Sequence, residues 1–185
     1  MQTIEILGAL IGLAYILLEY KANPWMWLCG VVMPVIYVYL YFRHGLYANA
    51  AFNIYNIVIS AYGLWQWKRG GGDGGEAPIR SFPRRGWPWL ALVVAALTAG
   101  LTLLLSQLHE SQVPLLDGLT TCLSIVGMWM LARKYYQQWL CWLIVEPLMM
   151  AMCIATGMWA TALLYAIYEV IAVKGYLHWK QGLKP

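Results

Sequence analysis

Residues 139–147 read WLCWLIVEP, and 112 positions earlier, at residues 27–29, the chain reads WLC. Carried along at that offset, the sequence overlays on itself without a gap. Gly45 falls on Gly157, Ala48 on Ala160, Ala50 on Ala162, and Val58-Ile59 on Val170-Ile171. Gly63 falls on Gly175, Trp67-Lys68 on Trp179-Lys180, and Gly70 on Gly182. Tryptophan and cysteine are rare, so their agreement at one fixed offset marks a duplication.

The duplicated segments are apolar. Of 185 residues, 62% are hydrophobic and 11% charged, against about 45–50% and about 25% in soluble domains. Apolar runs long enough to cross a bilayer lie at roughly 4–20, 24–43, 47–67, 87–107, 114–133, 138–156 and 158–178. The runs are too long for barrel strands, and lipid tolerates only helices or closed barrels. The expectation is an all-α integral membrane protein of seven transmembrane helices, in a 3+1+3 arrangement. The odd helix between the copies makes the two three-helix repeats parallel. The expected divisions are 1–69 for the first repeat, 70–86 for a cytoplasmic Gly/Pro loop, 87–111 for a linker helix and 112–185 for the second repeat with its tail. The loop, KRGGGDGGEAPIRSFPRRG at 68–86, is expected to be flexible and exposed.

Eleven of the twelve Lys and Arg residues fall on one side of this arrangement, and only Arg43 on the other. The positive-inside rule therefore predicts a cytoplasmic C-terminus and loop and an external N-terminus. The net charge of +4 sets topology and carries no nucleic-acid signature. No leader is expected to be removed, because residues 1–3 carry no basic side chain and the first apolar run includes Glu5. Cys29, Cys122, Cys141 and Cys153 lie singly in apolar segments, which predicts free thiols and no metal. His44, His109 and His178 sit at span ends on differing sides, and no phosphate-binding GxxxxGK[ST] occurs. An enzyme is not expected, nor a cofactor.

Ionisable groups at membrane depth are costly and mark pathways. Glu146 and Glu169 are the deepest. Trp139, Trp142 and Glu146, spaced by three and four, share a helical face. Pro147 removes a backbone donor beside the carboxyl. Asn49, Asn53 and Asn56 form a polar stripe, and the 112-residue shift carries it onto Thr161, Tyr165 and Tyr168. The expected substrate-binding residues are Trp139, Trp142, Glu146, Asn49, Asn53, Asn56, Tyr165, Tyr168 and Glu169. Such a set suits a carrier for a small polar or cationic molecule, with Glu146 or Glu169 open to a role as a proton relay.

The stretches GLYANAAFNIYNIVISAYGLWQW (45–67), LLDGLTTCLSIVGMWMLARK (115–134) and QQWLCWLIVEP (137–147) resemble the PnuC-type vitamin transporters. The resemblance covers nearly the whole chain apart from the glycine-rich loop. Its most specific element is the WxxW at Trp139 and Trp142. It implies a SWEET-like fold, a homotrimer with one path per protomer, and uptake of nicotinamide riboside, thiamine or riboflavin. A cytoplasmic kinase then traps the cargo. Members carrying nicotinamide riboside tend to have asparagine a turn after the WxxW. Glu146 stands there in this chain, so the resemblance points to the thiamine branch, PnuT, with nicotinamide riboside as the alternative. A carboxylate pairs with the thiazolium or the protonated pyrimidine, and indole faces hold cations.

Overall fold

A computed structural model describes the chain over residues 2–43, 47–70, 77–108 and 113–183. Seven α-helices run through these residues. They are α1 (Gln2–Tyr20), α2 (Met26–Arg43), α3 (Tyr47–Arg69), α4 (Trp87–Leu108), α5 (Pro114–Ala132), α6 (Gln138–Ala155) and α7 (Trp159–Gln181). Their bounds lie within a few residues of the expected spans. Shifting α1, α2 and α3 by 112 residues reproduces the bounds of α5, α6 and α7 to the residue.

Membrane-crossing character is unequal. Among the described residues, Arg84–Leu108, Pro114–Ala132, Gln138–Ala155 and Trp159–Gln181 are long and apolar enough to span a bilayer. Leu10–Tyr20 and Met26–Tyr39 are shorter apolar stretches. α3 falls short of that measure because Asn49, Asn53, Asn56, Ser60 and Gln66 dilute its apolar run.

The chain divides into two units, Met1–Pro78 with Ala132–Lys134, and Ile79–Leu131 with Tyr135–Pro185. In the first, α2 packs mainly on α3; in the second, α6 packs on α7. Lipid gives helices no hydrophobic reason to associate, so contact depends on small residues that let large ones in. Trp27 of α2 is fully buried and meets Trp67 edge-to-face at 5.5 Å and 84°. Trp139 of α6 meets Trp179 of α7 at 5.8 Å and 88°. A Cβ added at Gly63 would lie 2.4 Å from Trp27, and one at Gly175 2.5 Å from Trp139. Both glycines are therefore sockets for an indole.

The turns repeat as well. The α1–α2 turn places Ala22 at φ 51°, and the α5–α6 turn places Lys134 at φ 55°. The N–H of Asn23 reaches Leu18 O at 2.9 Å, and that of Tyr135 reaches Met130 O at 3.0 Å. These bonds satisfy carbonyls orphaned at each helix end. The α6–α7 turn uses Gly157 at φ 74°, with Met158 N–H to Cys153 O at 2.8 Å. Its counterpart Gly45 lies outside the described residues.

One difference between the units is chemically coherent. Pro34 inside α2 deprives the Gly30 carbonyl of its helical donor. The Ser60 hydroxyl of α3 donates to that carbonyl at 3.5 Å. In the second unit the positions of Pro34 and Ser60 hold Glu146 and Ala172. Glu146 keeps its backbone N–H, so α7 needs no hydroxyl there.

The loop before α4 departs from expectation. Residues 71–76 lie outside the described residues, but Ala77 and Phe82 are buried. Gln137 accepts from Phe82 N–H and donates to Ser81 Oγ, both at 2.9 Å. Tyr136 N–H donates to Arg80 O at 3.1 Å. Phe82 meets Trp87, Trp129 and Tyr135 edge-to-face. The segment is held by side chains some 55 residues away, which composition does not reveal. From this anchor α4 runs along α5, where Thr98 O and Thr102 Oγ1 crowd Gly118 at 3.2 and 2.7 Å from an added Cβ.

Candidate functional site

Of the expected residues of the second unit, Glu169, Tyr165 and Tyr168 come together around Glu146. Glu146 is 6% exposed, and its Oε2 has no hydrogen-bond partner among the described residues. Glu169, half-buried on α7, likewise has a buried, unpartnered Oε2. The two carboxyl groups lie within electrostatic reach of each other. The hydroxyls of Tyr165 and Tyr168 lie within reach of Glu146. Those two rings meet edge-to-face at 6.2 Å and 89°. Buried polar atoms are normally paired, so these two unpartnered oxygens mark the place as a candidate ligand site.

The two tryptophans part company, although their spacing puts them on one face. Trp139 is fully buried and occupied by Trp179 and the Gly175 socket on α7. Trp142 turns to α5, where a Cβ added at Gly127 would lie 3.5 Å from its Cζ2. Its Nε1 is buried and unpartnered among the described residues. What separates the rings is the position of the glycines that receive them, one on α7 and one on α5.

The first unit fills the same place differently. The counterpart of Trp142 is Gly30, and that of Gly127 is Tyr15. A Cβ added at Gly30 would lie 3.2 Å from the Tyr15 ring. Bulk has been exchanged between helices: α1 supplies the aromatic in one unit, α6 in the other. Asn53 and Asn56 are half-buried on α3 within this unit. The side chain of Asn49 lies outside the described residues.

Two buried charges escaped the sequence reading. Glu19 is 2% exposed and within electrostatic reach of Tyr15. Lys134 was counted among loop charges, yet it is 3% exposed, with Nζ 4.3 Å from the centre of the Trp67 ring. The available signal was the 112-residue shift, which pairs Lys134 with an alanine at a sharp turn. All four cysteines are free thiols.

A family model described as nicotinamide mononucleotide transporter matches residues 2–181. The chain belongs to that family. Membership makes it a multi-pass membrane transporter rather than an enzyme. It is 25% identical over 201 residues to the nicotinamide riboside transporter PnuC of Escherichia coli strain K12, covering 95% of this chain and 84% of that protein. The PnuC of Neisseria mucosa is 26% identical over 195 residues, covering 96% and 72%. The riboflavin/roseoflavin transporter RibM of Streptomyces davaonensis is 23% identical, covering 95% and 83%. A crystal structure of the vitamin B3 transporter PnuC has a TM-score of 0.69 at 23% identity, covering 94% of this chain and 79% of that one. That likeness concerns the fold.

Proposed function

We propose that the chain carries nicotinamide riboside, or a nucleoside closely like it, by facilitated diffusion across the bacterial inner membrane. The observation behind this reading is the pair of buried, unpartnered carboxyl oxygens on Glu146 and Glu169, within electrostatic reach of each other. The pyridinium carries a positive charge that an indole face and carboxylates stabilise. The ribose hydroxyls donate to carboxylate oxygens and tyrosine hydroxyls. In this reading Trp142, Glu146, Glu169, Tyr165 and Tyr168 contact the substrate within the second unit. Trp139 acts here as the wedge that holds α6 on α7.

The thiamine expected from Glu146 gives way in this reading. Relatives are named as nicotinamide riboside transporters, and a carboxylate pair serves a pyridinium as well as a thiazolium. The matching helix bounds support seven spans in a SWEET-like 3+1+3 arrangement, with divisions at 1–69, 70–86, 87–111 and 112–185. The charge bias supports an external N-terminus and a cytoplasmic C-terminus. A homotrimer and trapping of the cargo by a cytoplasmic kinase follow from the family resemblance.

Uptake into proteoliposomes holding the purified chain tests this. Labelled nicotinamide riboside is expected to enter, with thiamine and riboflavin competing weakly, and a protonophore without effect. Uptake of thiamine alone would reverse the substrate assignment. Collapse of uptake on adding a protonophore would replace diffusion by proton coupling through Glu146 or Glu169.

A further inference from the structure

A cavity of about 450 Å³ opens in the first unit, where α1 ends, α2 begins and α3 completes its last turns. Lys21, Lys68 and Asn23 supply its polar wall, and Trp25, Leu28 and Leu64 its apolar one. Both lysines are exposed. Asn23 Oδ1 accepts from Trp25 N–H at 3.0 Å, which leaves the amide NH₂ as its donor end. Trp25 is 68% exposed and Leu28 54% exposed. Helix ends of a membrane protein lie at headgroup level, where tryptophan and lysine anchor. The hollow thus joins two positive charges to an apolar surface that continues onto α2.

The second unit closes its copy of this hollow with its own side chains. Pro24 and Leu64 correspond to Tyr136 and Tyr176. Those rings pack at 5.6 Å. Lys180, the counterpart of Lys68, lays its Nζ 5.6 Å from the Tyr176 ring. Gln137, the counterpart of exposed Trp25, is buried and bonded to Ser81 and Phe82. Two copies of one design therefore differ at this spot: one is plugged, and the other is open and basic.

We infer that the open copy binds the phosphodiester headgroup of an anionic phospholipid. Lys21 and Lys68 flank the phosphate, and the Asn23 amide donates to it. Trp25 and Leu28 lie along the start of the acyl chains. Basic recesses between helices at this level suit such headgroups.

Native mass spectrometry of the full chain in detergent, titrated with phosphatidylglycerol or phosphatidylcholine, tests the site. Phosphatidylglycerol is expected to be retained in preference. The double variant Lys21→Gln/Lys68→Gln is expected to weaken that retention at least about tenfold, without lowering the melting temperature. Leu64→Tyr copies the plug of the second unit and is expected to weaken it with both lysines present. Equal retention of the two lipids, or retention unchanged in the double variant, overturns the inference. Full displacement by millimolar inorganic phosphate assigns the hollow to a soluble anion and also overturns it. So does dissociation of an oligomer in the double variant, which would seat a second copy there.

Discussion

Gly175 receives the ring of Trp139: a Cβ at that position would stand 2.5 Å from Cζ2 of the indole, and Gly63 stands in the same relation to Trp27 at 2.4 Å. Each helix pair of the two units is thus keyed by one glycine and one buried indole. Gly175→Ala must push the ring or part α6 from α7. The expected cost is about 1–3 kcal/mol, the usual range for overpacking. At about 2–4 °C per kcal/mol for a chain of this size, a melt in detergent shows it readily. Gly63→Ala is expected to cost a similar amount.

Glu146→Gln tests the site without disturbing its shape. The amide keeps the volume and removes the charge. Binding of nicotinamide riboside, read by calorimetric titration, is expected to weaken at least tenfold, or about 1.4 kcal/mol. The melting temperature is expected to hold or rise, because a carboxyl group within reach of Glu169 is gone. An unchanged affinity removes Glu146 from the path.

Ser60 and Pro34 form a pair that a double-mutant cycle can separate. Ser60→Ala leaves the Gly30 carbonyl without its donor and is expected to cost about 1 kcal/mol. In a Pro34→Ala background the new backbone N–H supplies that bond, so the same change is expected to be close to neutral. Equal costs in both backgrounds would show that Ser60 acts by packing alone.

Ala22 and Lys134 occupy matching left-handed turns, yet glycine is expected to act oppositely at the two. Ala22→Gly relieves the Cβ clash of this conformation, worth about 1–2 kcal/mol, less about 0.5–1 kcal/mol of chain entropy. A small rise in melting temperature is expected. Lys134→Gly also removes an ammonium from the face of Trp67, a contact worth about 2 kcal/mol when desolvated. A net fall is expected there.

Much of the helical framework was legible because helices repay length and apolar content, and because Trp27, Trp67, Trp139 and Trp179 recur at one offset. The clustering of Glu146, Glu169, Tyr165 and Tyr168 was legible for a related reason. Spacing by three and four fixes which side chains share a face. Destination was not legible. Trp139 and Trp142 share a face by count, but glycines on α7 and α5 decide where each ring goes. The clasp of Gln137 on residues 81–82 was hidden too. A glycine- and proline-rich stretch reads as loose until the partner that grips it is seen. The hollow at Lys21 and Lys68 appeared only on setting one unit against the other, where Pro24 and Leu64 replace two tyrosines.

The exchange of Tyr15 and Gly30 for Gly127 and Trp142 limits where the gene can now be recombined, because a crossover inside a half would set tyrosine against the indole or glycine against glycine. A hybrid carrying the whole N-terminal half twice would keep its own tyrosine–glycine pair but lose the indole at 142. The carboxyl group at 146 would be replaced by a proline in the same stroke. Duplication produced two interchangeable halves; complementary drift has since made them specialists, and neither can stand in for the other.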